Sequence, residues 1–312
     1  MKKPNSKEAN YRQLIRQGIQ LLESIINVMM LLLFLGCVAF GGYAMWDSNQ
    51  LYADANTTQY EQYKPKDKDR RSFTELKAIN NDVIGWLTVY GTNIDYPLVQ
   101  AEDNETYVNT SISGEKVLSG SIFLDYRNQS DFTDFNSIIY GHHMDKQLMF
   151  GEIGEFQDEG YFKERQYGKV YNGHQEYGIE FFAFVEADGY DKSVYSPAIV
   201  GVDKQQEYLT ALLEKALYSR VIDDGNFERL ILLSTCTSGV TNGRHILVGR
   251  LSDKIYDAPF IKEGISRDFD IPYDFGTHPT LIIIIVLLIL VVIWLLYNRH
   301  KRKKVKRRET KK

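Results

Sequence analysis

Three side chains of this 312-residue chain could together form a site for nucleophilic chemistry. Cys236 is the one cysteine outside the long apolar runs; it ends the run LILLSTC, and Arg244 begins the next, RHILVGRL. If these runs are antiparallel neighbouring strands, their connecting loop places Cys236 and Arg244 side by side at one end of a sheet. His142 follows a third apolar run, SIIY, and a glycine, so it also lies at a predicted strand end.

A cysteine, a histidine and an arginine at neighbouring strand ends have the chemistry needed for acyl transfer. The thiolate is the nucleophile, the imidazole can protonate a leaving amine, and the guanidinium can hold an oxyanion or the substrate backbone. A free cysteine is also often a small buried hydrophobic residue, so its position alone leaves both interpretations open. The combination favours acyl transfer of the cysteine protease kind.

Other kinds of site find little support in the sequence. His142 and His143 are adjacent and would face opposite ways in a strand, and the other histidines lack the spacing of metal ligands. Two cysteines exclude a disulfide-rich scaffold and a cysteine-built metal site. No glycine-rich phosphate loop precedes a helix. The basic segment 299–312 follows an apolar run, so it indicates membrane topology and contact with anionic lipid, not nucleic acid.

The elements that must position these residues are mostly strands. Seven runs rich in β-branched and aromatic residues, separated by Gly, Asn and Asp, predict strands: VIGWLTVYG, IDYPLVQ, SGSIFLDY, FNSIIYG, YGIEFFAFVEAD, RLILLSTC and RHILVGRL. Apolar residues at helical spacing predict a short helix before Val83 and two more, over residues 148–156 and 204–219. Strands and helices do not alternate, so we predict a mainly β fold, one closed or nearly closed β-barrel with a few helices.

Two long apolar runs predict transmembrane helices. Residues 24–46 carry no charge, and residues 281–297 are almost entirely Ile, Leu and Val. About 20 apolar residues cross the hydrocarbon core, with roughly 17 as the lower limit. Residues 1–23 contain five Lys or Arg and residues 299–312 contain ten. Basic flanks remain in the cytoplasm, so both termini are predicted to be cytoplasmic and the domain between them extracellular.

Each run has an alternative interpretation. The first could be a cleaved signal peptide, but it is long for one and no convincing small-x-small cleavage site accompanies it. The second, with its basic tail, could end a wall-anchored surface protein, but residues 271–276 (IPYDFG) lack the Thr-Gly pair of an LPxTG-like signal. Cys37 lies inside the first run and is therefore assigned to lipid contact or helix packing.

The predicted organisation has seven segments. In chain order they are a cytoplasmic basic N-terminus (1–23), a transmembrane helix (24–46), a linker (47–70), an extracellular catalytic domain (71–260), a second linker (261–279), a second transmembrane helix (280–298) and a cytoplasmic basic tail (299–312).

Much of the outer domain resembles the class B sortases of Gram-positive bacteria. The similar pieces are FTELKAINNDVIGWLTV, NIDYPLVQ, DNETYV, GSIFLDYRN, SIIYGHHMDKQLMF, LILLSTC and RHILVGRL, in the family's order. The resemblance implies a sortase β-barrel in which Cys236 is the nucleophile, Arg244 the transition-state arginine and His142, not His143, the catalytic histidine. It also implies six residues lining the sorting-signal groove: Asn104, Val108, Tyr140, Tyr195, Ser234 and Thr235.

The resemblance further implies a two-step transpeptidation that needs no metal or organic cofactor. The Cys236 thiolate attacks the Thr carbonyl of an LPxTG-like or related sorting signal, and an amine resolves the thioester. That amine belongs to a peptidoglycan cross-bridge or to a pilin lysine. Simple class B sortases commonly have one N-terminal anchor, whereas a second span is frequent in pilus-building sortases of another class. We therefore expect joining of pilin subunits, with anchoring of surface proteins to peptidoglycan as the alternative and hydrolytic proteolysis as a lesser one.

Overall fold

The computed structural model describes residues 6–56, 60–65, 71–222, 227–237 and 241–260. The chain divides after Ser48 into two compact units. The first unit contains most of a long helix, α1, which begins at Ser6 and ends at Asp54. No proline lies between residues 5 and 64, and Leu, Met and Ala favour the helical conformation.

The helix α1 includes the predicted span 24–46 and continues into the predicted linker, whose first eight residues are helical. Its segment Asn10–Ala53 is long and apolar enough to cross a membrane, a property that a signal sequence would share. Within the described part of the chain this is the single candidate span. The second predicted span, 280–298, lies outside the described residues together with segments 261–279 and 299–312.

The described residues of the second unit form nine strands in one sheet. They are β1 (Val83–Val89), β2 (Asp95–Val99), β3 (Ile122–Leu124), β4 (Asn136–Tyr140), β5 (Tyr167–Tyr171), β6 (Glu176–Asp188), β7 (Ala216–Ser219), β8 (Leu230–Cys236) and β9 (Gly243–Ser252). Eight of them close into a ring in the order β1-β2-β3-β4-β8-β9-β6-β5, since β5 pairs with both β6 and β1, and β7 pairs with β6. The predicted closed β-barrel is therefore confirmed.

Within the described residues, three short α-helices accompany the barrel: α2 (Arg71–Ile79), α3 (Glu159–Glu164) and α4 (Val202–Glu214). The helix α2 lies where the apolar spacing predicts it. The predicted helix over 204–219 is wrong at its end, because α4 stops at Glu214 and residues 216–219 form β7 against β6. The segment near 148–156 forms a 3-10 helix, Gly151–Gln157, in place of the expected α-helix.

Alternating strand residues divide the core between the barrel interior and its outer face. In β4 and β8, Ile139 and Leu233 belong to the interior cluster, whereas Ile138 and Leu232 belong to an outer cluster that includes residues of α4. A second outer cluster includes residues of α2 and of β1 to β3. Tyr140 packs against both outer clusters. The strip of sheet around Tyr140, on the outer face between these two clusters, is where the site lies.

Candidate active site

Strand order brings the three candidate catalytic residues to one edge of the sheet. The parallel strands β4 and β8 pair Tyr140 with Ser234, so both strands end at the same edge. His142 and Cys236 each lie two residues beyond that pair. The antiparallel strand β9 begins at the same edge and pairs Arg244 with Cys236. The three residues therefore occupy neighbouring strand ends. In the alternation of each strand, their positions correspond to the outer face of the barrel.

Cys236 and Arg244 are in direct contact. Arg244 Nη1 lies 2.9 Å from the Cys236 sulfur, and Cys236 is exposed. The guanidinium also packs against Gly189, where a Cβ atom would lie only 3.2 Å from Arg244 Cζ. A side chain at residue 189 would crowd the arginine, so glycine allows this approach. The contact sets a fixed positive charge beside the Cys236 sulfur.

His142 is held by a backbone carbonyl. Its Nε2 atom lies 2.7 Å from the Val108 oxygen. A carbonyl only accepts hydrogen bonds, so Nε2 is the donor and carries a proton. The histidine carbonyl in turn accepts a hydrogen bond from the Phe150 amide at 2.9 Å. Val108 thus fixes the ring, and the following loop fixes the backbone.

His143 has a different environment. His142 lines the groove described below, whereas His143 does not. Within the described residues its buried Nδ1 atom has no hydrogen-bond partner. A Cβ atom on Gly154 would lie 3.6 Å from both the His143 and the His245 rings. Burial lowers the pKa of His245, a shift opposed by Glu186 and reinforced by His143. Of the two adjacent histidines, His142 is the one that lines the same groove as Cys236.

One groove contains every residue that the sequence assigns to the site. Its volume is about 370 Å³. The nine predicted residues that line it are Cys236, His142, Arg244, Asn104, Val108, Tyr140, Tyr195, Ser234 and Thr235. Four further lining residues were not predicted: Phe123, Arg127, Gly141 and Gly189. Among the residues described, no group of three or more His, Cys, Asp or Glu side chains could hold a metal ion.

Two tyrosines form a wall of the groove. The rings of Tyr140 and Tyr195 stack with 6.2 Å between their centroids, and the Tyr195 hydroxyl lies 2.8 Å from Ser234 Oγ. Burial raises the pKa of Tyr195 to about 12 and also raises the pKa of Tyr140. Both phenols are therefore neutral near pH 7 and available for hydrogen bonding. Tyr195 lies on the loop between β6 and α4, so this loop contributes to the groove.

A buried carboxylate, Asp125, organises the part of the groove next to Tyr140. Its side chain has no solvent exposure. Arg127 binds it with two hydrogen bonds, from Nε at 2.8 Å and Nη2 at 2.7 Å, and Asn104 Nδ2 and the Tyr140 hydroxyl each donate at 3.0 Å. Burial would raise the pKa of Asp125, but these donors outweigh it and hold that pKa below its ordinary value. The sequence signal for this pair is an acid and an arginine two residues apart directly after a strand.

Comparisons with known proteins agree with this geometry. No protein-family model matches the chain. This chain is 33% identical over 189 residues to sortase B of Listeria monocytogenes. The aligned region covers 59% of this chain and 76% of that protein. The crystal structure of sortase B from the type II pilus of Streptococcus pneumoniae has a TM-score of 0.51 and 47% identity, covering 58% of this chain and 99% of the other.

A second pilus-related structure gives a similar result. The class B sortase of Streptococcus pyogenes involved in pilus biogenesis has a TM-score of 0.53 and 41% identity, over 58% of this chain and 97% of the other. This chain has an eight-stranded barrel with a cysteine at the end of one strand and an arginine at the start of the next. Sequence, fold and site together show that the chain belongs to the class B sortases, a family of cysteine transpeptidases.

Proposed function

We propose that this chain is a membrane-anchored sortase that joins pilin subunits through a thioester on Cys236. The pilin assignment rests on sequence identity, which is higher with two pilus-related sortases than with another class B sortase. The two pilus-related sortases share 47% and 41% of their residues with this chain, whereas a crystal structure of Staphylococcus aureus sortase B shares 25%. In this proposal α1 and the second span predicted from the sequence, residues 280–298, anchor the chain, residues 71–260 form the extracellular catalytic domain, and both termini are cytoplasmic.

The first chemical step forms the acyl-enzyme. The Cys236 sulfur attacks the Thr carbonyl carbon of a C-terminal sorting signal, so a C–S bond forms and the Thr–Gly C–N bond breaks. Arg244, already 2.9 Å from the sulfur, stabilises the negative charge that passes from sulfur to the carbonyl oxygen. His142 protonates the departing amine from Nδ1, while Nε2 stays bonded to the Val108 carbonyl.

The second step transfers the acyl group. A lysine amine of another pilin subunit attacks the thioester, His142 removes its proton, and the C–S bond breaks as an amide forms. Cys236 returns to its thiol or thiolate form. The sequence of steps needs no external oxidant, metal or organic cofactor, because it only exchanges one amide for another. The groove is open enough at Cys236 for the second substrate, since that residue is exposed.

The proposed function is tested with the full chain in detergent. The chain is incubated with a sorting-signal peptide, with and without a pilin domain carrying its acceptor lysine, and products are identified by mass spectrometry. Formation of a peptide–lysine amide supports pilin joining. Transfer only to a peptidoglycan cross-bridge peptide would favour wall anchoring, and release of free acid at the same rate with or without an amine would indicate a hydrolytic protease.

A matched variant checks that the products come from the proposed site. Cys236→Ala should form neither a thioester nor an amide product, while Cys37→Ala, which alters the other cysteine, should leave both unchanged. Loss of product in the Cys37 variant, or its persistence in the Cys236 variant, would contradict the assignment of the nucleophile.

A further inference from the structure

The end of α1 packs into the barrel. The compact unit that contains the barrel begins at Asn49, so it includes the last turns of the helix and the residues that follow them. Ala55 is buried in the interior cluster, and Tyr52 packs against the same cluster. Burial of this kind is expected of a packed element and not of a flexible spacer. Residues 49–56, called the α1 end below, therefore belong to the core of the catalytic unit.

The loop that follows His142 contains three residues in a strained conformation. Lys146, Gln147 and Met149 have φ angles of 59°, 58° and 52°. This left-handed conformation is unfavourable for residues that have a Cβ atom, so it persists only where other contacts hold it. For Gln147 the contact comes from Asn93, whose Nδ2 atom donates to Gln147 Oε1 at 3.2 Å.

The contacts of the other two strained residues lead to the α1 end. Lys146 Nζ lies 3.9 Å from the centroid of the Tyr52 ring, which is a cation–π contact. The Met149 amide donates to the Tyr96 hydroxyl at 2.8 Å, and that hydroxyl donates to the Ala55 carbonyl at 3.3 Å. A side chain and a backbone carbonyl of the α1 end thus hold two points of the loop.

The same loop fixes the backbone of His142. Met149 pairs with His143 in an isolated antiparallel bridge, and the next residue, Phe150, donates its amide to the His142 carbonyl at 2.9 Å. The loop therefore folds back on the end of β4. If Met149 relaxed out of the left-handed region, the adjacent Phe150 amide would move and the His142 backbone would move with it. The histidine would then shift relative to Cys236 although neither residue had been changed.

We propose that the α1 end positions the catalytic histidine by holding the loop that follows it. Tyr52 acts through Lys146, and the carbonyl at the helix end acts through Tyr96. This inference rests on the proposed function, since it takes His142 to be the acid–base group. Tyr52 and Tyr96 do not line the groove, so they are positioning residues. Their loss should lower kcat and leave KM, which depends on the groove, unchanged.

The test measures loop opening and acyl transfer in the full chain in detergent. Hydrogen–deuterium exchange followed by mass spectrometry reports opening of residues 144–157, and kcat and KM are measured with a fluorogenic LPxTG-like peptide and an amine acceptor. Tyr96→Phe removes the hydroxyl that links Met149 to the α1 end. Exchange in this segment should become faster, and kcat should fall about 2- to 10-fold, the factor for one net hydrogen bond. Exchange in β8 and β9 should be unchanged.

Substitutions of Tyr52 test the other contact. Tyr52→Leu should have the same effects as Tyr96→Phe, whereas Tyr52→Phe keeps an aromatic face for Lys146 and should restore most of kcat. Tyr43→Leu is the matched control, because Tyr43 is also a tyrosine of α1 but belongs to the first compact unit. Its kcat and its exchange should equal those of the wild type.

A second control separates positioning from general stability. Tyr171→Phe also removes a hydroxyl from a buried tyrosine of the barrel, one that donates to the Gly173 carbonyl at 2.6 Å in β5 and the turn after it. This variant should lower Tm about as much as Tyr96→Phe does, but its kcat and the exchange of residues 144–157 should remain those of the wild type.

The outcomes distinguish this inference from the function on which it rests. If His142→Ala is inactive, as the proposed function requires, then unchanged exchange in Tyr96→Phe and Tyr52→Leu, or faster exchange with an unaltered kcat, would overturn the inference. An equal loss of kcat in Tyr171→Phe would also overturn it. A fully active His142→Ala chain would instead contradict the proposed function, while faster exchange in Tyr96→Phe would still support the hold of the α1 end on the loop.

Discussion

Replacing His142 by glutamine separates the structural role of this residue from its chemical role. A glutamine can place its Nε2 atom where His142 donates to the Val108 carbonyl at 2.7 Å, so it can keep the hydrogen bond while losing the imidazole ring. His142→Ala loses both. The hydrogen bond is worth about 1 kcal/mol net, or roughly 2–4 °C in Tm for a domain of this size. We expect that loss of stability in His142→Ala but not in His142→Gln.

Both substitutions should remove proton transfer to a similar extent. A general acid–base group contributes about 10²- to 10⁴-fold in rate, equivalent to about 2.7–5.4 kcal/mol at 1.36 kcal/mol per decade. The assay measures kcat/KM for peptide–amine transfer and, by differential scanning fluorimetry, Tm. His143→Asn, the neighbouring control, should keep most of the activity because His143 lies outside the groove. A His143 variant that is slower than both His142 variants would refute the assignment.

Three further predictions follow from the site and its surroundings. Cys236→Ala should abolish thioester formation with little change in Tm, because the side chain is exposed at a strand end; a thioester still visible by mass spectrometry would exclude Cys236. Asp125→Asn should destabilise the fold by about 2–3 kcal/mol in chemical denaturation near pH 7. Because the folded pKa of Asp125 lies below its unfolded value of about 3.9, its stabilisation is present above that pH and is lost as the pH falls through the folded pKa; a difference that grows below pH 4 would contradict this. Removing residues 280–312 should leave a membrane-bound, active enzyme but shorten pilin polymers in cells; polymers of unchanged length would favour wall anchoring.

The placement of Cys236 and Arg244 at one edge of the sheet could be predicted from the sequence, because the two residues are close together in the chain. Cys236 and Arg244 are separated by one loop between two apolar runs, and an antiparallel pair joined by such a loop must bring them together. His142 needed one more step, the parallel pairing of β4 with β8, which single-sequence periodicity does not reveal. The family resemblance supplied that step.

The part of the groove around Asp125 could not be predicted, because it depends on contacts between residues far apart in the sequence. Asp125 lies near the end of the predicted strand SGSIFLDY and directly follows the observed strand β3, and nothing in the polar segment DYRN indicates that its carboxylate is buried. It is buried because Asn104 and Tyr140, which are 21 and 15 residues away in the chain, close over it. The strands β5 and β7 were missed for a related reason. Each is short, and each becomes a strand by pairing with the long strand β6.

The construction of the groove indicates which of its parts can change without loss of chemistry. Cys236 and Arg244 are fixed by the register of β8 and β9, and β8 is buried along all of its length before Cys236. Moving either residue would require a shift of the barrel itself, at the cost of its interior packing. Val108 and Tyr195 lie outside the strands, so the position of the His142 ring and the shape of the groove depend on loops. Substitutions in these loops should therefore alter KM and substrate choice before they alter the Cys–Arg pair, and a loop variant that disrupts the 2.9 Å contact while the barrel stays folded would show this division to be wrong.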